Sequence, residues 1–464
     1  MNRESPVGYL AREVALERIL AQAMRFPDLD FSPGSAAPAG LDARDAALAR
    51  AIEYAVVRRY LTLIACIRPH LAKNWPLLEK PIQAALLAGA AQILFLDRVP
   101  AAAAVDASVE WTKRRLRPGA GGLVNAVLRK VAASVVERIP ARDGAPCEEL
   151  SDHTRRDLVP MADGSALRLA QDAFSEDAAA AISERTSHSR ELILHWIGAF
   201  GFKEAQRVAL HDLLEPPIIV APFDAADARF GGLATPHSDA GFGVWNGTHA
   251  ELTALLDSDP ALRVQDPTAA ATCALLADAL VPAIGREPAL VVDLCAGRGT
   301  KTRQLARMFP RATVLATDPD QARFEALARL RERHPNVRVL GHELLFREAA
   351  GKADLVLLDV PCSNSGVLAR RPEARYRFSK ARTQSVIELQ QKIADPSIGL
   401  LAPKGAVLYA TCSIEHAENG AQTRRLAQRH GLSPVVDRTI MPAGLPGEPA
   451  ALYRDGGFHA LLVR

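Results

Sequence analysis

After Gln265 the chain alternates short apolar runs with amphipathic stretches, an order that few folds accommodate. Ala289–Leu294 reads as a buried strand, followed by a glycine-bearing turn and a helix over Lys301–Met308. Ala312–Thr317 is a second strand and Gln321–Arg333 a second helix. Val337–Leu340 and Asp354–Leu358 are further strands, Val386–Leu401 is a helix bent at Pro396, and Ala406–Ala410 and Gly457–Val463 are strands. Strands joined through helices pair in parallel, because the crossover returns the chain to the same end of the sheet. The pattern predicts a doubly wound α/β, Rossmann-like domain over residues 261–464. Ligands in such sheets sit beyond the carboxyl ends of the strands, so those ends carry the functional reading.

The first part of the chain has a different period. Residues 9–138 read as helical, with Leu16, Ile19, Leu20, Ala23 and Met24 on one stripe. Asp42 is a natural N-cap for a helix through Ile67 that spaces Leu48, Ile52, Tyr54, Ala55, Leu61 and Ile64 on one face. Ile82–Phe95, Val109–Leu116 and Leu123–Val136 are further helices, which predicts an all-α bundle over residues 1–138. Residues 139–187 are polar, with turn signals at Asp143–Gly144, Pro146 and Asp163–Gly164, and read as a linker. Residues 188–260 read as a small connecting, RNA-binding subdomain, helical to about residue 225 and then glycine-bearing with short strands.

Composition narrows the class further. At 464 residues the chain holds two or three domains. No window of eighteen apolar residues free of charge occurs, which argues against a membrane span. The N-terminus has no apolar signal core, so a cytoplasmic protein is expected. Six cysteines, none in a Cys-x-x-Cys pair, support neither a disulfide framework nor a structural zinc site, and no metal is expected. A net charge of +3 is compatible with nucleic acid without arguing for it, and a monomer is expected.

The loop from Asp293 to Thr302 lies between the first strand and its helix. Gly297 and Gly299 let backbone approach a ligand closely, and Asp318, at the end of the second strand, can accept hydrogen bonds from two ribose hydroxyls. This combination suits an adenosine-containing cofactor and does not by itself separate S-adenosylmethionine from NAD.

The next two strand ends say more. One runs into Asp359-Val-Pro-Cys-Ser363 and the other into Thr411-Cys-Ser413, each placing a cysteine just past the sheet edge. A structural cysteine usually sits within an element as a small hydrophobe, whereas two thiols at one cleft suit covalent chemistry. Carbon 5 of cytosine is too poor a nucleophile to take a methyl group directly. A thiolate adding to carbon 6 makes carbon 5 enamine-like. An acid near N3 and the amino group then holds the base, and Asp359 is placed for that. The target base must leave its stack to reach such a pocket.

These segments resemble the bacterial Sun/Fmu-type ribosomal RNA cytosine-5 methyltransferases, which carry a NusB-like N-terminal domain. The resemblance rests on Val264-Gln-Asp-Pro-Thr268, the Asp293–Thr302 loop, Asp359–Ser363 with Gly366-Val-Leu and Arg371-Pro-Glu, Thr411-Cys-Ser413, and Asp455-Gly-Gly-Phe-His. In the helical part it rests on Ala104-Val-Asp-Ala-Ser-Val-Glu-Trp and Gly122-Leu-Val-Asn-Ala-Val-Leu-Arg129. It implies methyl transfer from S-adenosylmethionine to RNA, most directly 16S ribosomal RNA. It implies that Cys412 is the nucleophile and Cys362 assists product release. It also implies that Cys295, Ala296, Gly297, Arg298, Gly299, Thr300, Lys301, Asp318 and Asp359 line the cofactor, with Glu343 standing in for an acid after the third strand. The readings that remain open are a cytosine-5 methyltransferase of tRNA or DNA, and a non-catalytic RNA-binding assembly factor.

The chain departs from the family pattern at four places. Gly297-Arg-Gly-Thr300 replaces Ala-Pro-Gly-Gly before the Lys, and Ser363-Asn-Ser-Gly366 replaces Ser-Gly-Thr-Gly. Gly341-His-Glu343 replaces Gly-Asp, and no Arg-Val-Asn follows Glu215-Pro-Pro. For RNA, Arg370, Arg371, Arg375, Arg377, Lys380 and Arg382 interleave with Tyr376 and Phe378, a pattern that suits phosphates and stacked bases. Of these, Arg370, Arg371, Arg375, Tyr376 and Arg377 are the expected RNA contacts. Lys113, Arg114, Arg115 and Arg117 form a second cluster that a solvated helix face explains equally well.

Overall fold

A computed structural model describes residues 9–31, 40–142, 144–145, 152 and 154–464. The chain forms two compact units: Met1–Glu215 with Leu368–Ser379 and Leu445–Glu448, and Pro216–Val367 with Lys380–Gly444 and Pro449–Arg464.

The first unit is built on helices Tyr9–Arg25, Ala43–Ile67, Lys80–Phe95, Ala101–Arg115 and Pro118–Ser134. Asp42 caps the second by accepting the Asp45 N–H at 2.7 Å. The last begins at Pro118, well before Leu123, because proline at the first turn loses no hydrogen bond there. The Ala43–Ile67 helix contains neither proline nor glycine, yet it kinks at Arg59 (φ −125°, ψ 21°). Two hydroxyls account for the kink. The Tyr60 N–H donates to Tyr376 Oη at 3.3 Å and the Leu61 N–H to Ser187 Oγ at 3.0 Å, so side chains enter the backbone ladder.

The expected linker over 139–187 is corrected. Val135–Ile139, Leu158–Pro160 and Ala166–Leu169 form a small antiparallel sheet, and Val159, Leu167, Leu169 and Phe174 join the helical core. Its turn residues Asp143 and Pro146, and Cys147, lie outside the described residues. The 188–260 subdomain is corrected too. Helices Arg190–Phe200 and Phe202–His211 belong to the first unit, and the division falls after Glu215. The remainder, with Arg263–Val264, makes a four-stranded sheet in the second unit around Val220, Phe230 and Trp245.

The second unit is centred on seven strands: β1 (Leu290–Asp293), β2 (Thr313–Ala316), β3 (Val337–Val339), β4 (Ala353–Asp359), β5 (Leu401–Thr411), β6 (Ser433–Ile440) and β7 (Gly457–Val463). Their order is β3-β2-β1-β4-β5-β7-β6. β1 to β5 are parallel, and β7 is antiparallel to both its neighbours. Strand residues alternate between two buried layers. Val291, Leu355, Leu357 and Leu408 pack with Leu276, Leu280, Ile284 and Leu305. Val292, Val356, Leu358 and Val407 pack with Leu345, Ala394 and Leu426. Helices on both faces of a mostly parallel sheet are the expected doubly wound arrangement. Among the described residues, Pro267–Ile284 is the one stretch long and apolar enough to cross a membrane by length and composition. Here it forms two helices whose Cys273, Leu276, Leu280 and Ile284 lie in the sheet core.

Candidate active site

The carboxyl ends of β1, β2, β4 and β5 carry the predicted chemistry. Asp293 ends β1 and is fully buried, with Oδ2 accepting the Thr302 hydroxyl at 2.7 Å. Its Oδ1 has no partner among the described residues. Burial pushes this carboxyl up to about 7. The loop beyond it turns through Gly299 at φ +82°, where an added Cβ would lie 2.2 Å from Leu330 Cδ1. Thr300, in contrast, opens the helix Thr300–Met308, so a side chain at that position carries no backbone strain. Arg298 is exposed. The Gly297 N–H donates to Asp318 Oδ2 at 2.8 Å, tying the loop to the end of β2.

Lys301 reaches across to the end of β4, where its ammonium donates to Asp359 Oδ2 at 2.6 Å. Burial alone would lower the Lys301 pKa, but the charge and hydrogen bond of Asp359 more than offset this and hold it above its ordinary value. The register of β4 and β5 pairs Asp359 with Ala410. The two turns that follow bring Cys362 Sγ within 3.1 Å of Cys412 Sγ. Their backbones also meet: the Gly366 N–H donates to Cys412 O at 3.0 Å, and a Cβ on Gly366 would fall 2.6 Å from the Gly456 backbone. The hydrogen bond with Cys412 and then burial raise Cys362 well above the ordinary thiol value, so it keeps its proton. The Cys412 thiol donates to Asn364 Oδ1 at 3.2 Å. Asn364 has φ +64° and stands where the family pattern has glycine. Asparagine is among the few side chains that adopt this conformation at low cost.

Two braces escaped the sequence reading. Glu418 is fully buried and accepts the Ser363 N–H at 2.8 Å, and burial raises its carboxyl. Asn419 spans the second turn, accepting the Thr411 hydroxyl at 2.6 Å and donating to Ser413 O at 2.8 Å. The signal available was the polar pair Glu418-Asn419, a few residues past the apolar strand and the Thr-Cys-Ser turn. Cys295 is half-buried with its thiol raised by burial, and Ala296 is buried. Glu343 is exposed in the first turn of the helix His342–Ala349, and no hydrogen bond joins it to the loop among the described residues.

The RNA contacts need correction. Arg375 is fully buried and Tyr376 nearly so. Arg375 is spent on backbone carbonyls of the first unit: Arg58 at 3.1 Å, Leu368 at 3.2 Å, and Asp212. Tyr376 donates to Val57 O at 2.6 Å inside the helical core. Neither is presented to a ligand. Arg377 is half-buried and donates to Leu29 O, Arg370 is half-buried, and Arg371 is exposed beside Glu373. Each member of the second cluster has an acidic partner: Lys113 with Glu110, Arg114 with Glu13, Arg115 with Glu17 and Arg117 with Glu79.

Comparison with known proteins bears on this arrangement. Residues 281–443 match the family described as 16S rRNA methyltransferase RsmB/F, and residues 11–133 match the NusB family. The chain is 29% identical to a ribosomal RNA small subunit methyltransferase B of Vibrio cholerae over 456 residues, covering 94% of each chain. It is 28% identical to the protein of that name from Xanthomonas campestris, covering 100% of this chain and 99% of the other. The fold is similar to the crystal structure of PH0851 at a TM-score of 0.66 and 18% identity, over the full length of both chains.

The residues present fit S-adenosylmethionine as the methyl donor. Asp293 Oδ1 is a buried acceptor left without a partner beneath the loop, and a Cβ on Gly297 would meet nothing within 4 Å, leaving the loop backbone approachable. Asp318 offers the carboxylate that a ribose diol requires. The chain is therefore similar to the RsmB/F methyltransferases over residues 281–443 and to the NusB family over residues 11–133.

Proposed function

We propose that this protein methylates carbon 5 of a cytosine in RNA, most directly 16S ribosomal RNA, through a covalent bond to Cys412. The observation that carries the reading is the approach of the Cys362 and Cys412 sulfurs to 3.1 Å beside the Lys301–Asp359 pair. The relatives named as small-subunit ribosomal RNA methyltransferases support the substrate class.

S-adenosylmethionine, when bound, supplies an electrophilic methyl group. Cys295 to Lys301 and Asp318 are the residues that would hold it, with Asp359 at its edge. The chain's own residues supply the rest. The Cys412 thiolate adds to carbon 6 of cytosine, and the displaced electron pair gives carbon 5 nucleophilic character. Asp359, its charge held in place by Lys301, orients the N3 and amino edge of the base. After methyl transfer a base removes the carbon 5 proton and the carbon–sulfur bond breaks, returning its electron pair to Cys412. Cys362, which retains its proton beside Cys412, assists this release. Arg370 and Arg371 remain the candidates for RNA phosphate from the basic run.

The test is incubation with labelled S-adenosylmethionine and undermodified small-subunit RNA, followed by mapping of 5-methylcytosine. The expected result is stoichiometric label at one cytosine. Absence of both methylation and cofactor binding contradicts the reading.

A further inference from the structure

The kink at Arg59 has a chemical consequence within the first unit. Consecutive residues on a regular helix point about 100° apart, yet Arg58 and Arg59 are both 5% exposed. The Arg58 guanidinium is satisfied, donating to Tyr54 Oη at 2.8 Å and to the carbonyls of Leu213 and Leu214 at 2.5 and 2.6 Å. Arg59 is not. It lines a cavity of about 170 Å³ with Tyr54, Phe95 and Met161, and its Nη1 is buried without a hydrogen-bond partner among the described residues. The Phe95 ring face lies 5.1 Å from its guanidinium carbon. Glu215, the one acid on the lining, is exposed and makes no ion pair with Arg59 among the described residues.

The surrounding charge is of the wrong sign. Burial lowers Arg59 to about 9, with Arg58 and Arg375 adding to the effect, and the group is still a cation at neutral pH. Arg58, Arg59 and Arg375 are buried near one another; the buried acids beside Arg375 are Asp212, which also accepts from His188 at 2.9 Å, and Glu373, which Arg371 and Arg377 share. Buried cations in excess of their acids are costly unless an anion joins them. A second groove, lined by Arg68 and Arg156, offers no such imbalance, because Glu184, Asp172 and Glu176 already pair with those arginines.

We propose that the Arg59 cavity is a phosphate-binding site, in which Arg59 donates to one phosphate group whose negative charge, about −1 on an RNA backbone and about −1.5 to −2 on free phosphate at neutral pH, offsets the buried arginines. That group belongs either to free phosphate or to an RNA backbone. The site uses none of the methyl-transfer residues and does not rest on the cytosine reading.

The test uses the full chain. Wild type and Arg59→Met are unfolded thermally across a phosphate titration at constant ionic strength. In parallel, modification of Arg59 by phenylglyoxal is mapped by mass spectrometry on the wild type, which needs no variant to fold. The expected result is a melting temperature that rises with inorganic phosphate, protection of Arg59, and phosphate binding weaker by about ten-fold or more in Arg59→Met. Protection by a single-stranded RNA oligonucleotide as well assigns the group to a backbone; protection by phosphate alone assigns it to the free anion. A wild-type melting temperature indifferent to phosphate, with Arg59 protected by neither, overturns the proposal.

Discussion

Cys362 Sγ and Cys412 Sγ lie 3.1 Å apart, on the turns that follow adjacent parallel strands. The two thiols are not equivalent. The Cys412 hydrogen bond and burial leave Cys362 holding its proton, while the Cys412 hydrogen bond runs to Asn364. A protonated thiol beside a reacting one is the asymmetry that addition followed by elimination needs.

Asn364 serves both backbone and thiol, and substitution separates the roles. Asn364→Gly keeps the left-handed turn without strain and should stay within about 0.5 kcal/mol of wild-type stability. Asn364→Ala loses the same acceptor and also meets the φ +64° penalty, so it should be about 1 kcal/mol less stable than the glycine variant. Urea unfolding of the pair measures the difference.

Asp293 makes stability depend on pH. Its carboxyl rises from 3.8 to about 7 on folding, so the folded state binds the proton more tightly than the unfolded state. The stability it contributes is fully present below pH 3.8 and is lost as pH rises to about 7. Asp293→Asn keeps an acceptor for Thr302 without the charge. Without cofactor it should match wild type near pH 4 and exceed it above pH 7 by on the order of 4 kcal/mol. Unfolding free energies across this range are the check; a difference independent of pH contradicts the assignment.

The two glycines of the loop should separate stability from binding. Gly299→Ala meets Leu330 at 2.2 Å as well as a positive φ and should lose about 2–4 kcal/mol. Gly297→Ala meets nothing and should lose about 1 kcal/mol. Its main effect should instead be weaker S-adenosylmethionine binding, read by calorimetry.

Arg375 should behave as a core residue. Arg375→Ala strands three backbone carbonyls and should cost about 3–5 kcal/mol. The dependence of RNA affinity on salt should not change. Arg371→Ala should leave stability alone and lower that salt slope by about one unit.

How much of this was legible depended on burial. β1, β2, β4, β5 and β7 have apolar runs because helices or neighbouring strands cover them, and their ends pointed to Asp293, Asp359, Cys362 and Cys412 before any geometry. β6 was missed because residues 433–440 are largely exposed, so no apolar pattern marks them. The strands Leu158–Pro160 and Ala166–Leu169 are too short to show a period. Arg375 was misread because a basic run looks solvated until Arg58 and Asp212, more than a hundred residues away, supply its acceptors. Glu418 depended on register, since only the pairing of β4 with β5 brings Ser363 to it.

The most direct test of the central claim is covalent trapping with the two cysteine variants, S-adenosylmethionine and substrate RNA. Cys362→Ala should accumulate a protein–RNA adduct linked through Cys412, and Cys412→Ala should form none. An adduct through Cys362 in the Cys412→Ala protein, with none in Cys362→Ala, would contradict the account.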